Sequence, residues 1–266
     1  MIVNARMYSA TPQVKAAWKK LLAWAISRAG LQWELLDYDA PAPLNELWAR
    51  GDLGAAMMCG LPYSQRRPRA RIVAAPVPSP ARYEGKPVYF TDIVVRADSP
   101  HRTLEDTFGG VVGYTLEDSM SGCVALRRHL RPYRASRGKA LYRSAVGGLV
   151  NARQVIEALA AGGIDVGPLD GYYHDLLRKN EPQTAARVKV IAVTDAAPIP
   201  PLVATAALKD DEMERIRAAL LEAGEAPELA AERDVLLLKR FAVPDEADYR
   251  IFDRILEEAR QFSDPW

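Results

Sequence analysis

The chain has 266 residues, 49% of them apolar and 26% charged, which excludes an intrinsically disordered segment and supplies enough apolar mass for a layered core. Its 35 Lys and Arg nearly cancel its 34 Asp and Glu, and a formal net charge of +1 argues against a dedicated nucleic-acid binder. Cys59 and Cys123 stand too far apart for a metal knuckle or a disulfide framework, and His101, His129 and His174 form no HExxH or His-x-His, so neither a metal nor a cofactor is expected.

No apolar run approaches the roughly 20 residues that cross a bilayer, so no membrane insertion is expected. The opening Met1–Tyr8 turns polar too soon for an export signal. The expected compartment is the periplasm if an export segment precedes this chain, and the cytoplasm otherwise.

Short β-rich runs alternate with helical stretches. Ile2–Tyr8 reads as a strand. Thr11-Pro12 opens a helix, with Thr as N-cap and Pro where a missing N–H costs nothing. Val14, Ala17, Trp18, Leu21 and Ala25 share one face of it, and Gly30 stops it. Leu31–Tyr38 is the next strand and Pro43–Arg50 a short helix. Gly54–Cys59 reads as a strand ending in the turn Cys59–Tyr63, and Arg71–Val77 as another strand. Pro87–Arg96 is a longer extended run. Thr103 with Asp106 suits the cap of a brief helix.

Gly110–Thr115 has the look of a buried strand, and Ser121–Leu130 of a helix whose start is rich in hydroxyls. A strand Leu141–Val146, a capped helix Asn151–Ala161, a short strand Ile164–Gly167 and a helix Tyr172–Lys179 follow. Val188–Thr194 is again extended. Helices Asp210–Ala223, Ala230–Leu238 and Asp245–Phe262 close the chain.

Such alternation predicts an α/β protein with mixed, mostly parallel sheets flanked by helices. The extended runs near 87–96 and 188–194 bracket a self-contained block. The expected organisation is two lobes with a cleft between them, joined by two crossing segments. One lobe is discontinuous, 1–92 with 192–266, and the other is 93–191.

Three places carry chemistry. Glu117-Asp118-Ser119-Met120-Ser121-Gly122 follows a strand and opens a helix. A helix N-terminus offers unpaired N–H groups and about half a positive charge, and two hydroxyls with a glycine let it surround an anion. The same residues equally suit a plain serine N-cap. The pattern matches neither a phosphate loop nor a nucleophile elbow. Next, Ile164–Asp170 ends a strand in a carboxylate beside Gly-Pro, where ligands of parallel sheets sit. Asp170 reads as an acceptor for a cationic or hydroxyl part of a ligand, or as the N-cap of the helix beyond it. Asp165 reads as structural. Finally, Tyr63 in the turn after Cys59 either lines the cleft or packs, and Cys59 reads as a small buried residue more than a nucleophile. Tyr8, Tyr89 and Thr91, on the first strand and the first crossing segment, are cleft-wall candidates or, taken singly, core-packing residues.

Taken together these pieces resemble the substrate-binding proteins of phosphate, phosphite and phosphonate ABC transporters, which have the type II periplasmic binding protein fold. The matching stretches are Cys59–Tyr63, Tyr89–Ser99, Leu104–Gly113, Ser119–Gly122, Val155–Gly167 and Pro200–Ala204 with the helix after it. The resemblance implies that Ser119, Ser121 and Gly122 hold phosphonate oxygens. It implies that Tyr89 and the turn at Tyr63 line the site, and that Asp170 receives an amino group where the ligand has one. Where the family often carries Gly-Ser-His, this chain has Val146-Gly147-Gly148.

The implied function is a binder without chemistry of its own, closing on a small anionic ligand and presenting it to an ABC permease. An alternative is a cytosolic enzyme of the same fold, of the menaquinone- or thiamine-pathway type, with Asp170 and His174 the nearest acid/base pair. A detached sensor domain that docks a regulator is a third.

Overall fold

The computed structural model describes residues 1–39, 42–262 and 266. It divides into two compact units, Met1–Val88 with Pro198–Tyr249 and Tyr89–Ala197 with Arg250–Trp266.

The first unit is built on a six-stranded sheet. Its strands lie in the order Leu238–Ala242, Arg71–Pro78, Leu202–Ala204, Leu53–Met57, Ile2–Asn4, Glu34–Leu35. The last three are parallel neighbours. The other pairings are antiparallel, because Leu202–Ala204 returns into the middle of the sheet against the direction of both neighbours. Helix–strand alternation therefore overstates parallel pairing here. The α/β class itself stands.

The helix Pro12–Arg28 forms as its cap predicts: Thr11 Oγ1 accepts the Val14 N–H at 3.1 Å. Val14, Trp18, Leu21, Leu22 and Ala25 are buried, and Trp18 meets Phe241 edge-on. The first strand stops at Asn4, short of the expected Tyr8. The Asn4 side chain accepts the Arg6 N–H at 2.8 Å and turns the chain into a single 3-10 turn, Arg6–Tyr8. Gly60–Gln65 is a short helix in place of the expected turn. Leu238, expected to end a helix, opens an edge strand instead, Leu238–Ala242. Leu237 has φ 47, which breaks the helix Ala230–Val235, and a register shift after Leu238 turns both Leu238 and Phe241 inward.

The second unit holds an antiparallel sheet in the order Val188–Val193, Thr91–Arg96, Gly167–Asp170. A parallel pair, Val111–Gly113 with Ser144–Val146, accompanies it. The strand expected at 164–167 lies later, at Gly167–Asp170, because Thr91–Arg96 pairs with Gly167 to Asp170. Val166 bridges back, to Val112. Ile93, Val95, Val112, Cys123, Leu126, Leu130 and Val166 form the core.

The segment Arg250–Trp266 belongs to this second unit, where the sequence reading assigns it to the first lobe. Its helix Ile251–Ala259 lies on the helix Ala125–Arg137 and buries Phe252, Ile255, Leu256 and Ala259. Arg128 fastens it, donating to Glu258 at 2.6 Å and to Asp195 at 3.1 Å.

His129 stands beside Arg128. Burial lowers its imidazole below the ordinary 6.5, with Asp195 opposing and Arg128 assisting in smaller measure. The unfolded chain then binds more protons than the folded one near and below that pH. Stability is full above pH 6.5, falls as the pH drops below it and the unfolded chain takes up the proton that the folded ring refuses, and levels once the folded ring is protonated too. His129→Gln is expected to flatten the loss of melting temperature between roughly pH 7 and pH 5. An equal loss in both proteins would contradict this.

Candidate functional site

The helix expected at Ser121 begins with a π-helical turn, Met120–Val124, and continues as an α-helix to Arg137. Such turns often mark functional positions. Ser119 caps it. Its Oγ accepts the Gly122 N–H at 3.1 Å, and the Val124 N–H donates to its carbonyl at 3.0 Å. Ser121 is 9% exposed and its Oγ donates to Asp170 Oδ2 at 3.1 Å. The other Asp170 oxygen accepts the N–H groups of Tyr172 and Tyr173, both at 3.0 Å, and so caps the helix Gly171–Asn180. The two readings of Asp170 are thus compatible: one oxygen caps, the other faces a serine.

Thr91 Oγ1 donates to the Ser121 carbonyl at 3.0 Å, and its N–H donates to Thr194 Oγ1 at 3.0 Å. Its hydroxyl therefore braces the serine turn from the sheet. Ser119, Ser121, Gly122, Thr91 and Asp170 form one hydrogen-bonded group within the second unit. Tyr89 is buried on the short strand Val88–Tyr89.

Gly122 has a specific reason to be glycine. A Cβ there would fall 1.9 Å from Thr115 Oγ1 and 2.8 Å from Ser119 Oγ. Thr115 cannot move away freely, since its N–H donates to the Gly122 carbonyl at 2.9 Å and its own carbonyl accepts the Gly148 N–H at 2.9 Å. Gly122→Ala is expected to lower stability by about 1–3 kcal/mol, as overpacking does. Adding Thr115→Ala should return part of the loss, read by denaturant unfolding. No recovery would place the strain elsewhere. Thr115 is a member of this group that sequence reasoning missed. Its signal was a hydroxyl at the end of a buried strand, directly ahead of the serines.

The first unit holds Tyr8 and Tyr63. Tyr8 sits on the Arg6–Tyr8 turn, not on a strand, and is buried. Tyr63 is buried on the helix Gly60–Gln65, edge-on to Tyr249 at 5.1 Å, with the Arg69 guanidinium 5.9 Å from its ring. Its hydroxyl is buried with no hydrogen-bond partner among the described residues, and burial pushes the phenol up to about 12.

The acid/base pair considered for an enzyme does not assemble. His174 Nδ1 lies 2.7 Å from Asp92 Oδ2 instead, both side chains fully buried, while Asp170 is occupied by its cap and Ser121. Burial raises the Cys123 thiol to about 12, far from a nucleophile's range. Among the described residues no three His, Cys, Asp or Glu groups are arranged to hold a metal, and no helix is long and apolar enough to cross a membrane.

Comparison with known proteins bears on this arrangement. A binding protein component of an ABC phosphonate transporter from Pseudomonas aeruginosa superposes with a TM-score of 0.76 at 20% identity, over 96% of this chain and 85% of that one. PhnD1 of Prochlorococcus marinus, in complex with methylphosphonate, gives 0.77 at 14% identity over 98% of each chain. A Xanthomonas citri protein bound to ATP gives 0.66 at 18% identity, over 98% and 97%. At these identities the superpositions establish a shared fold, that of the periplasmic binding proteins. No curated protein matches the sequence. The family model described as "ABC transporter, phosphonate, periplasmic substrate-binding protein" matches residues 8–249. The chain belongs to the periplasmic substrate-binding proteins of phosphonate ABC transporters, a family of binders and not of enzymes.

Proposed function

We propose that this chain binds a small phosphonate-type anion at the Ser119–Gly122 helix start and delivers it to an ABC permease from the periplasm. The observation that carries the reading is the hydrogen bond from Ser121 Oγ to Asp170. It gives each of the two groups a partner. An incoming phosphonate oxygen competes with the Asp170 carboxylate, also a charged acceptor, for the Ser121 hydroxyl, and the exchange is favoured when a cationic group of the ligand takes the place of the serine on Asp170. The N–H of Gly122, now accepted by Ser119, is the second donor within reach of the same turn. Ser119 then rotates to donate its own hydroxyl.

Asp170 opposes a bare dianion at this place and favours a ligand with a positive group beside the phosphonate. Once Ser121 turns to the ligand, Asp170 Oδ2 is left to accept from an ammonium, while Oδ1 stays on the helix cap. The ligand class most consistent with these residues is therefore an aminoalkyl phosphonate. The position where the family often carries a histidine is glycine here, which removes one contact to the phosphonate and raises the share borne by the serine turn. In the first unit Tyr63, whose buried hydroxyl has no partner among the described residues, and Tyr8 are retained as candidate ligand contacts. Tyr89 is retained as a site-wall candidate of the second unit.

Calorimetry with three probes tests the reading. Aminoethylphosphonate is expected to bind more tightly than methylphosphonate, and methylphosphonate more tightly than inorganic phosphate. Asp170→Asn should remove most of the preference for the amino compound while leaving methylphosphonate bound. Absence of binding by all three would sink the proposal, and an Asp170→Asn variant with an unchanged preference would remove Asp170 from it.

A further inference from the structure

Behind the serine turn stands a second group of side chains that the ligand chemistry above does not use. Tyr114, the residue before Thr115, stacks on Trp266 with ring centroids 5.1 Å apart and planes 24° apart. The Arg127 guanidinium lies 4.7 Å from the Trp266 ring and 5.4 Å from the Tyr114 ring. Glu117 closes the group. One of its oxygens accepts the Tyr114 hydroxyl at 3.0 Å and the other accepts from Arg127 at 3.2 Å. Arg127 is the main reason its carboxyl is held below the ordinary value. Trp266 is buried, and its carbonyl accepts the N–H groups of Leu141 and Tyr142 at 2.6 and 3.0 Å. Gly147 leaves room for the stack, since a Cβ there would come within 2.5 Å of the Tyr114 ring.

The position of these groups gives them leverage. Tyr114 and Glu117 belong to the loop that leads into Ser119, and Arg127 belongs to the helix that leads out of Gly122. Backbone bonds lock the same loop at both ends, from Tyr114 to Val146 and from Ser119 to Leu116. We propose that Trp266 is a positioning residue for the ligand turn. By packing against both Tyr114 and Arg127, which also meet each other, it fixes loop and helix at one separation, and so sets the directions of the Ser119 hydroxyl and the Gly122 N–H. A side chain more than 140 positions away in sequence, on a segment read as part of the other lobe, thereby shapes the turn. The effect on affinity rests on the ligand reading above. The effect on the loop does not.

Two variants separate positioning from mere packing. Trp266→Leu keeps an apolar side chain in the core but cannot stack, whereas Trp266→Phe can. Hydrogen exchange is followed in the peptide covering residues 114–124, and methylphosphonate binding is measured by calorimetry. Trp266→Leu is expected to speed exchange in that peptide roughly tenfold and to weaken methylphosphonate by a similar factor, with Trp266→Phe within about twofold of the native protein. Equal exchange in the two variants would overturn the proposal, even if both melt lower, because that is what core packing alone predicts. If Trp266→Leu does not fold, Glu117→Gln, an exposed change at the far side of the same group, must speed exchange in the same peptide; if it does not, the proposal fails. Should the native protein bind neither methylphosphonate nor aminoethylphosphonate, the ligand reading fails and the exchange comparison still decides the role of Trp266.

Discussion

Ser119→Ala/Ser121→Ala is expected to lose affinity for aminoethylphosphonate by roughly 30-fold or more. Each hydroxyl offers a hydrogen bond to a charged acceptor, worth about 1.5–3 kcal/mol. The net loss is smaller than the sum, because in the free protein both hydroxyls already have partners, Gly122 N–H and Asp170. Ser119→Ala also removes an N-cap, which by itself lowers stability by about 0.5–2 kcal/mol. Binding is therefore measured well below the melting transition, where that loss leaves the protein folded. A double variant that binds as tightly as the native chain would show that the anion, wherever it sits, does not use these hydroxyls.

Asp92→Ala is expected to be the most destabilising single change in the second unit. Asp92 and His174 are both fully buried and lie 2.7 Å apart, with Arg178 3.8 Å from the same carboxylate oxygen. Removing one member of a buried pair leaves the other without compensation and costs about 3–5 kcal/mol. Here the penalty is compounded, since His174 Nε2 is also buried with no partner among the described residues. The melting temperature should fall on the order of 10 °C. Replacing both members together, Asp92→Leu/His174→Leu, should cost less than the single change, because neither member of the pair is left buried without the other. His174 lies one helical turn beyond Asp170, so loosening this helix also loosens the proposed ligand carboxylate. A melting temperature within about two degrees of native for Asp92→Ala would contradict the assignment.

What the sequence made legible follows from how local the signals are. Thr11-Pro12, Asn151 and the Thr103–Asp106 pair announced their caps, and each is in place, because capping is a contact between residues three apart. The serine turn was legible for the same reason: hydroxyls, glycine and the helix start are neighbours in the chain. Asp170 was legible as a helix cap or a ligand acceptor; the cap is in place on one oxygen, and the ligand role remains the proposal above.

The rest was set by partners distant in sequence. Leu236-Leu237-Leu238 continues an apolar helical run by pattern alone. Only the left-handed Leu237 and the open edge of Arg71–Pro78 make the next residues a strand. Gly167–Asp170 rather than 164–167 became the strand because Thr91–Arg96 offers its edge there. The Asp92–His174 pair joins residues 82 positions apart, and the helix Ile251–Ala259 shows an apolar face without showing which unit it covers.

The central claim is that the anion sits on the Ser119–Gly122 turn beside Asp170. The most direct measurement is the change in backbone amide chemical shifts as aminoethylphosphonate is titrated into the isotope-labelled protein. The account predicts that the largest changes in the second unit fall on Ser119 to Val124 and on Asp170 to Tyr173, with the Gly122 amide among the most affected as it exchanges the Ser119 oxygen for a ligand oxygen. Saturable binding that leaves these amides unmoved would contradict it.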